Sequence, residues 1–174
     1  MRLYFVVVLL FSVLVRAETN KTEVMFLSND LKMTFPYQPK ISSEEILFEN
    51  KQKKGTRDHY ICDDASVPVM IKVQDATFTP AGLENFKTKK AAFFKDTESA
   101  LEKSLFADAK VKISQRKNIK IGKLPAYKFG GESKEMKIQV LLVQKNTGIA
   151  MVIEIDKAKA KDKDSYLQTL KSVK

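Results

Sequence analysis

Three consecutive segments near the C-terminus decide the fold: EMKIQVLLVQ (Glu135–Gln144), KNTG (Lys145–Gly148) and IAMVIEID (Ile149–Asp156). Asn146-Thr147-Gly148 is a hairpin signal between two apolar runs. Side chains alternate faces along a strand, yet Val140 to Val143 and Met151 to Ile153 are apolar at successive positions. A strand apolar on both faces is buried on both. The pair is therefore expected at the centre of a sheet, with cover on each side.

Upstream of this hairpin, Gly130-Gly131 turns the chain, and Tyr127 and Phe129 share one face of a strand. Gly122-Lys123-Leu124-Pro125 interrupts an earlier run in which Val111, Ile113, Ile119 and Ile121 recur with period two. Before that, the period is helical. Leu83, Phe86, Phe93, Phe94, Leu101 and Leu105 lie at helical spacing after Thr79-Pro80, which suits an N-cap and the first helical position. Phe78 and Leu83 are placed as a hydrophobic staple. The spacing predicts an amphipathic helix of about 25 residues that needs an apolar partner. Strand patterns precede it at 24–27, 31–35, 45–50, 57–63 and 67–73, and a turn is expected at Lys51–Thr56. At the other end, Asp164 is placed to cap a short helix holding Tyr166, Leu167, Leu170 and Val173. Strands joined by hairpins around one long helix define an α+β fold. The expectation is an antiparallel sheet of about six to nine strands, with the long helix and the short C-terminal helix packed on it.

The first residues stand apart from this domain. Arg2 precedes a run of 13 residues, Leu3 to Val15, that is apolar except for Ser12. A membrane-spanning helix needs roughly 20 apolar residues. The run is shorter, and Val15-Arg16-Ala17 ends it as a cleavage site would, so residues 1–17 read as a signal peptide and 18–174 as one exported domain, periplasmic or secreted. Losing Arg2 and Arg16 lowers the net charge from +10 to +8, still basic. The lone cysteine, Cys62, can form no internal disulfide and is expected as a buried small apolar side chain in a strand.

Several short motifs resemble a known family. Leu31-Lys32-Met33-Thr34-Phe35-Pro36-Tyr37-Gln38-Pro39 is similar to the opening of many small exported bacterial domains, and Gly122-Lys123-Leu124-Pro125-Ala126 to a step in one of their later strands. With the closing segment Tyr166–Val173, the order of elements resembles the PsbP-like fold, shared by photosystem extrinsic subunits and the Ran-binding Mog family. Tyr166 and Leu170 stand where phenylalanine is common. The resemblance implies an antiparallel sheet flanked by helices and a non-enzymatic binding or assembly role. No family binding residue transfers to this chain.

The side-chain inventory points the same way. His59 is the only histidine, which excludes a multi-histidine metal site. Along a strand, His59 and Asp63 would stand roughly 13 Å apart at about 3.3 Å per residue, too far to share one ion. No glycine-rich phosphate loop follows a strand, and no cofactor is implied. The notable surface feature is a run of cations: Lys110, Lys112, Arg116, Lys117, Lys120 and Lys123. On a strand, Lys110, Lys112 and Arg116 would line one face, a candidate site for anionic lipid or polysaccharide. The same charges on an edge strand would equally guard it against aggregation. No aromatic residue lies between Lys110 and Lys123 to stack bases, which argues against nucleic acid. Two functions are therefore carried forward, with a third behind them. The first is a non-enzymatic binding or assembly module whose partner is another envelope or extracellular protein. The second is a polyanion or anionic membrane-surface binder. The third is a small-ligand carrier with its pocket between sheet and helix.

Overall fold

The structure is a computed structural model that describes residues 22–25, 30–64, 67–157 and 166–173. The expected signal peptide, Phe26 and Leu27 of the first expected strand, most of the loop after Asp156 and the expected Asp164 cap lie outside the described residues. In chain order the elements are β1 (Thr22–Met25), β2 (Leu31–Phe35), β3 (Lys40–Leu47), β4 (Lys53–Cys62), β5 (Val69–Phe78) and α1 (Pro80–Leu101). A π-helical turn (Glu102–Phe106) continues α1. Then come β6 (Gln115–Ile121), β7 (Leu124–Glu132), β8 (Lys137–Gln144), β9 (Gly148–Asp156), a 3-10 turn (Tyr166–Thr169) and β10 (Lys171–Ser172).

Seven strands form an antiparallel sheet in the order β3-β4-β5-β9-β8-β7-β6. The hairpin read as central is central: β9 is the fourth of the seven and β8 lies beside it. Its two-sided apolarity serves two cores. Leu141, Val143, Ala150 and Val152 face one layer with Tyr60, Cys62, Ile71 and Val73. Ile138, Val140, Leu142, Ile149, Ile153 and Ile155 face the other with Phe86, Phe106 and Phe129. The first layer is closed by a second sheet, β1-β2-β10, which brings Leu31, Met33 and Phe35 down as fully buried residues. The second layer is closed by α1 and its π-helical turn.

The short C-terminal helix expected over Tyr166–Val173 is a single 3-10 turn. Its three-residue repeat points Leu167 and Leu170 into the same core. Within the turn, Thr169 Oγ1 accepts from Thr34 N–H at 3.1 Å and donates to Tyr166 C=O at 2.7 Å. The chain then straightens so that Lys171 and Ser172 pair with Lys32 and Leu31. Completing the small sheet outweighs another helical turn.

The helix begins as read. Thr79 is the N-cap, its Oγ1 accepting from Gly82 N–H at 3.2 Å, and Pro80 follows in the first turn. The cap is also tied to the sheet, because Thr79 N–H and Oγ1–H both donate to Lys54 C=O. Gly82 is needed there: a Cβ would lie 2.1 Å from that same carbonyl oxygen. Aromatic rings carry α1 across the sheet. Phe78 meets Phe86 at 5.3 Å, Phe94 stacks on Tyr127 at 6.5 Å, and Phe106 stacks on Phe129 at 6.1 Å. Adjacent helical residues point about 100° apart at 3.6 residues per turn, so Phe93 and Phe94 cannot both face the sheet. Phe93 lies against the edge of Phe86 and stays 39% exposed. At its far end the helix closes with Lys110 in the left-handed region (φ 52°), Val111 N–H bonding Phe106 C=O and Lys110 N–H bonding Ala107 C=O.

Candidate functional site

The tertiary structure disperses the six cations read as one basic face. Lys110 belongs to the helix C-terminus, not to a strand. Lys112 precedes β6, which begins at Gln115. The expected strand face of Lys110, Lys112 and Arg116 therefore does not form, because the Schellman closure of the helix consumes residues 107–111 before the chain can extend. Within β6, Ile119 and Ile121 pack on the core under the small sheet. Alternation sends Lys117 to that side and Arg116 and Lys120 to the helix side. Lys123 sits in the β6–β7 turn beside Gly122, whose φ is 59°. All six are exposed, but they point in different directions.

Arg116 is held by the helix. Its Nε donates to Glu98 Oε1 at 2.6 Å, and Tyr127 Oη donates to Glu98 Oε2 at 2.6 Å. Burial and that hydrogen bond to Glu98 push the Tyr127 phenol up to about 12, and the same carboxylate raises Arg116 further. Glu98 thus fastens α1 to β6 and β7 and reduces what Arg116 offers to an outside anion. β6 is an edge strand of the large sheet, where Arg116, Lys117 and Lys120 discourage another strand from pairing.

Strand register creates a grouping that the linear sequence hides. Lys117 on β6 stands directly opposite Lys128 on β7. Lys137 opens β8 on the same face, two positions from Gln139, which lies opposite Gly130. Neither Lys128 nor Lys137 belongs to the basic run that the sequence makes conspicuous. Gly130-Gly131, read as a turn, instead lies inside β7, and the β7–β8 turn falls at Ser133–Met136, so the register that brings these lysines together was not legible from the glycine pair. Burial lowers the Lys128 ammonium below the ordinary lysine value, with Lys137 and Lys117 adding repulsion and Glu154 opposing it.

The residues with catalytic potential are bound up in structure. His59 Nε2 lies 3.2 Å from Glu44 Oε1, which Arg57 also reaches at 3.0 Å. Asp63 pairs with Lys40 at 3.1 Å, so His59 and Asp63 serve separate partners. No group of three metal-ligating side chains occurs among the described residues. Cys62 is fully buried in β4, and burial pushes its thiol up to about 11. Asp75 and Lys145 form a fully buried ion pair, and Asp58, directly opposite Asp75 in the register, accepts from Ser43 Oγ–H. Between sheet and helix there is a niche of about 230 Å³ lined by Phe78, Phe93, Ile149 and Met151 with Arg57 and Gln74 at its rim. That niche is below the ~300–1,000 Å³ of ordinary ligand pockets, whereas an open cleft of about 620 Å³ between the β3–β4 connection and α1, lined by Phe48, Lys54, Asn85 and Lys89 among others, lies within that range.

The remaining feature is an open edge. β3 ends the large sheet on the side away from β6, and its eight residues are exposed except for half-buried Ile46. Ile41 and Leu47 are large apolar side chains at 54% and 49% exposure. A register shift between Ile46 and Leu47 bends its end, leaving Lys40–Glu45 as the regular stretch.

A seven-stranded antiparallel sheet with a long helix on one face and a three-stranded sheet on the other defines an α+β protein in three layers. No helix among the described residues is long and apolar enough to cross a membrane. No family model and no curated protein matches the chain. Among solved structures, the chain is similar to the solution structure of cyanobacterial PsbP (CyanoP) from Synechocystis sp. PCC 6803. The TM-score is 0.49 at 7% identity, over 88% of this chain and 93% of that one. No residue role passes across at that identity.

Proposed function

We propose that this chain is an exported, non-enzymatic binding or assembly module whose partner is another envelope or extracellular protein, docked by strand addition along β3. The observation that carries the reading is the contrast between the two edges of the large sheet. The β6 edge spreads Arg116, Lys117 and Lys120 along its length, whereas the β3 edge carries its charges, Lys40, Glu44 and Glu45, at the two ends of an uncharged exposed run, Ile41–Ser43, with Ile41 uncovered. Such an edge presents a row of backbone donors and acceptors that a partner strand completes, and alternate side chains confer specificity. The structural engagement of His59, Asp63 and Cys62 agrees with a role that needs no catalysis. Export rests on the leader Met1–Ala17.

The test captures partners from the cell-envelope and medium fractions at rising salt, then measures amide hydrogen exchange with and without the captured protein. The expected result is a salt-resistant partner that protects residues 40–45 and is lost in the Ile41→Lys variant. A partner that leaves these amides unprotected overturns the β3 assignment. Binding that vanishes with salt and recovers polyanions favours the surface-charge reading instead.

A further inference from the structure

Lys145 begins the β8–β9 connection, where a lysine ordinarily reaches solvent, yet its ammonium is fully buried against the Asp75 carboxylate. The strand pattern explains how it gets there. Lys145 lies two positions beyond Val143 and so points to the same face, the core under the small sheet. On that face β9 supplies only Gly148 and Ala150 between Lys145 and β5, and Ala150 stands directly opposite both Val143 and Asp75. A hydrogen and a methyl leave room for the lysine stem to cross β9. Gly148 also lets β9 approach β5 closely, since a Cβ there would lie 2.0 Å from Ala76 C=O. Three hydrogen bonds hold the connection down. Lys145 N–H donates to Gly148 C=O at 2.9 Å, Phe78 N–H to Thr147 C=O at 2.8 Å, and Thr147 Oγ1–H to Asp30 Oδ2 at 3.1 Å.

A second carboxyl group completes the cluster. Asp58 on β4 stands directly opposite Asp75, is 3% exposed, and accepts from Ser43 Oγ–H. On β4, β5 and β9 the neighbouring positions of that face carry no charge. An amine pressed against one carboxyl group, with another beside it, is one step from an amide. Free amines and carboxylates do not condense readily in water, because both are charged and water reverses the reaction. Proton transfer within a buried pair leaves an amine and a carboxylic acid, the uncharged forms that an apolar interior favours. Oriented intramolecular partners reach effective molarities of about 10⁵–10⁸ M. A closed interior also keeps out the water that would hydrolyse the product.

We propose that Lys145 and Asp75 condense in the folded chain to an isopeptide bond. Lys145 Nζ attacks Asp75 Cγ and a C–N bond forms. A carboxyl C–O bond then breaks, and its oxygen leaves as water with no change of oxidation state. Asp58 carries the proton from Nζ to the departing hydroxyl and ends as it began. The ion pair is the state of the freshly folded chain, and the amide is its product. The bond closes a covalent ring through α1, β6, β7 and β8 and clamps the central hairpin to β5. Cys62 is the only cysteine, so no internal disulfide can do this. The inference does not depend on strand addition at β3.

The experiment measures the mass of the purified chain under denaturing conditions. The expected mass is that of the sequence less one water. Trypsin should release a branched species joining residues 73–87 to residues 138–157, because acylated Lys145 is not cleaved. Chain recovered unfolded should carry the full mass and lose the water only after refolding. Lys145→Arg, which keeps the charge without the reactive amine, should keep the full mass. Asp58→Asn with the parent's circular dichroism should condense roughly 100-fold more slowly. Condensation of that variant at the parent's rate removes Asp58 from the proton relay. Two readings on the parent, which need no variant to fold, overturn the proposal: full mass after prolonged incubation of the folded chain, or water loss without the branched species.

Discussion

Replacing Lys145 by Met should cost this protein about 3–5 kcal/mol, because it keeps the apolar stem while removing a fully buried ammonium from Asp75. The upper part of that range is expected. Both side chains of the pair are 0% exposed, so neither can turn to solvent without opening the core. Asp75 also stands directly opposite Asp58, itself 3% exposed. Directly opposite residues have Cα atoms about 4.5–5.5 Å apart, so loss of the lysine leaves two buried carboxylates as neighbours. Against a typical stability of about 5–15 kcal/mol, the loss is a large fraction. For a chain of this length it corresponds to a fall in Tm of roughly 6–20 °C. Urea unfolding followed by circular dichroism measures it, and Lys145→Met with Asp75→Asn tests the cause. Removing the second charge while keeping an amide in its place should recover about 2 kcal/mol or more. A single variant that loses under about 1 kcal/mol, or a double variant no more stable than the single, would refute the reasoning.

Three other perturbations probe the elements that position the sheet edges. Gly82→Ala should cost about 1–3 kcal/mol in the same assay, since its Cβ would meet Lys54 C=O at 2.1 Å and push the first helical turn off β4. Lys110→Gly should instead stabilise by about 1 kcal/mol, because a left-handed φ of 52° at the helix end is strained for a residue with a Cβ. Cys62 predicts a pH window. Its thiol titrates at about 11 in the fold against 9.0 unperturbed, chiefly through burial. The stability gained by keeping it neutral is complete below about pH 9 and lost as pH rises towards 11. Cys62→Ala should flatten unfolding free energy across that interval, and alkylation of native Cys62 should remain slow at pH 8.

The hydrophobic pattern was enough to place the central hairpin, since Val140–Val143 and Met151–Ile153 demand cover on both faces whatever supplies it. It was also enough for the start of the long helix, because Thr79 and Pro80 act through local backbone chemistry. The C-terminal segment was legible only as an apolar repeat at three- and four-residue spacing. Whether Leu167 and Leu170 sit on a helix or a 3-10 turn depends on β2, a strand more than 130 residues away that supplies Thr34 as the bonding partner. The candidate site was less legible than the fold. Nearness in sequence made Lys110–Lys123 look like one surface, but alternation and the helix closure scatter it.

What the sequence by itself determined is local and periodic: the strand and helix periods, the cap and the hairpin turn. Each depends on residues within a few positions of one another. What only the tertiary structure decided is which distant residues become neighbours. Lys145, in a hairpin connection where exposure is the ordinary expectation, is instead folded beneath the sheet onto Asp75. Lys117, Lys128 and Lys137 lie up to 20 positions apart in the chain yet border one cleft. Glu98 joins the helix to β6 and β7 through Arg116 and Tyr127. Strand register and sheet order fix all three, and both emerge from the balance of burial over the whole chain rather than from any short segment of it.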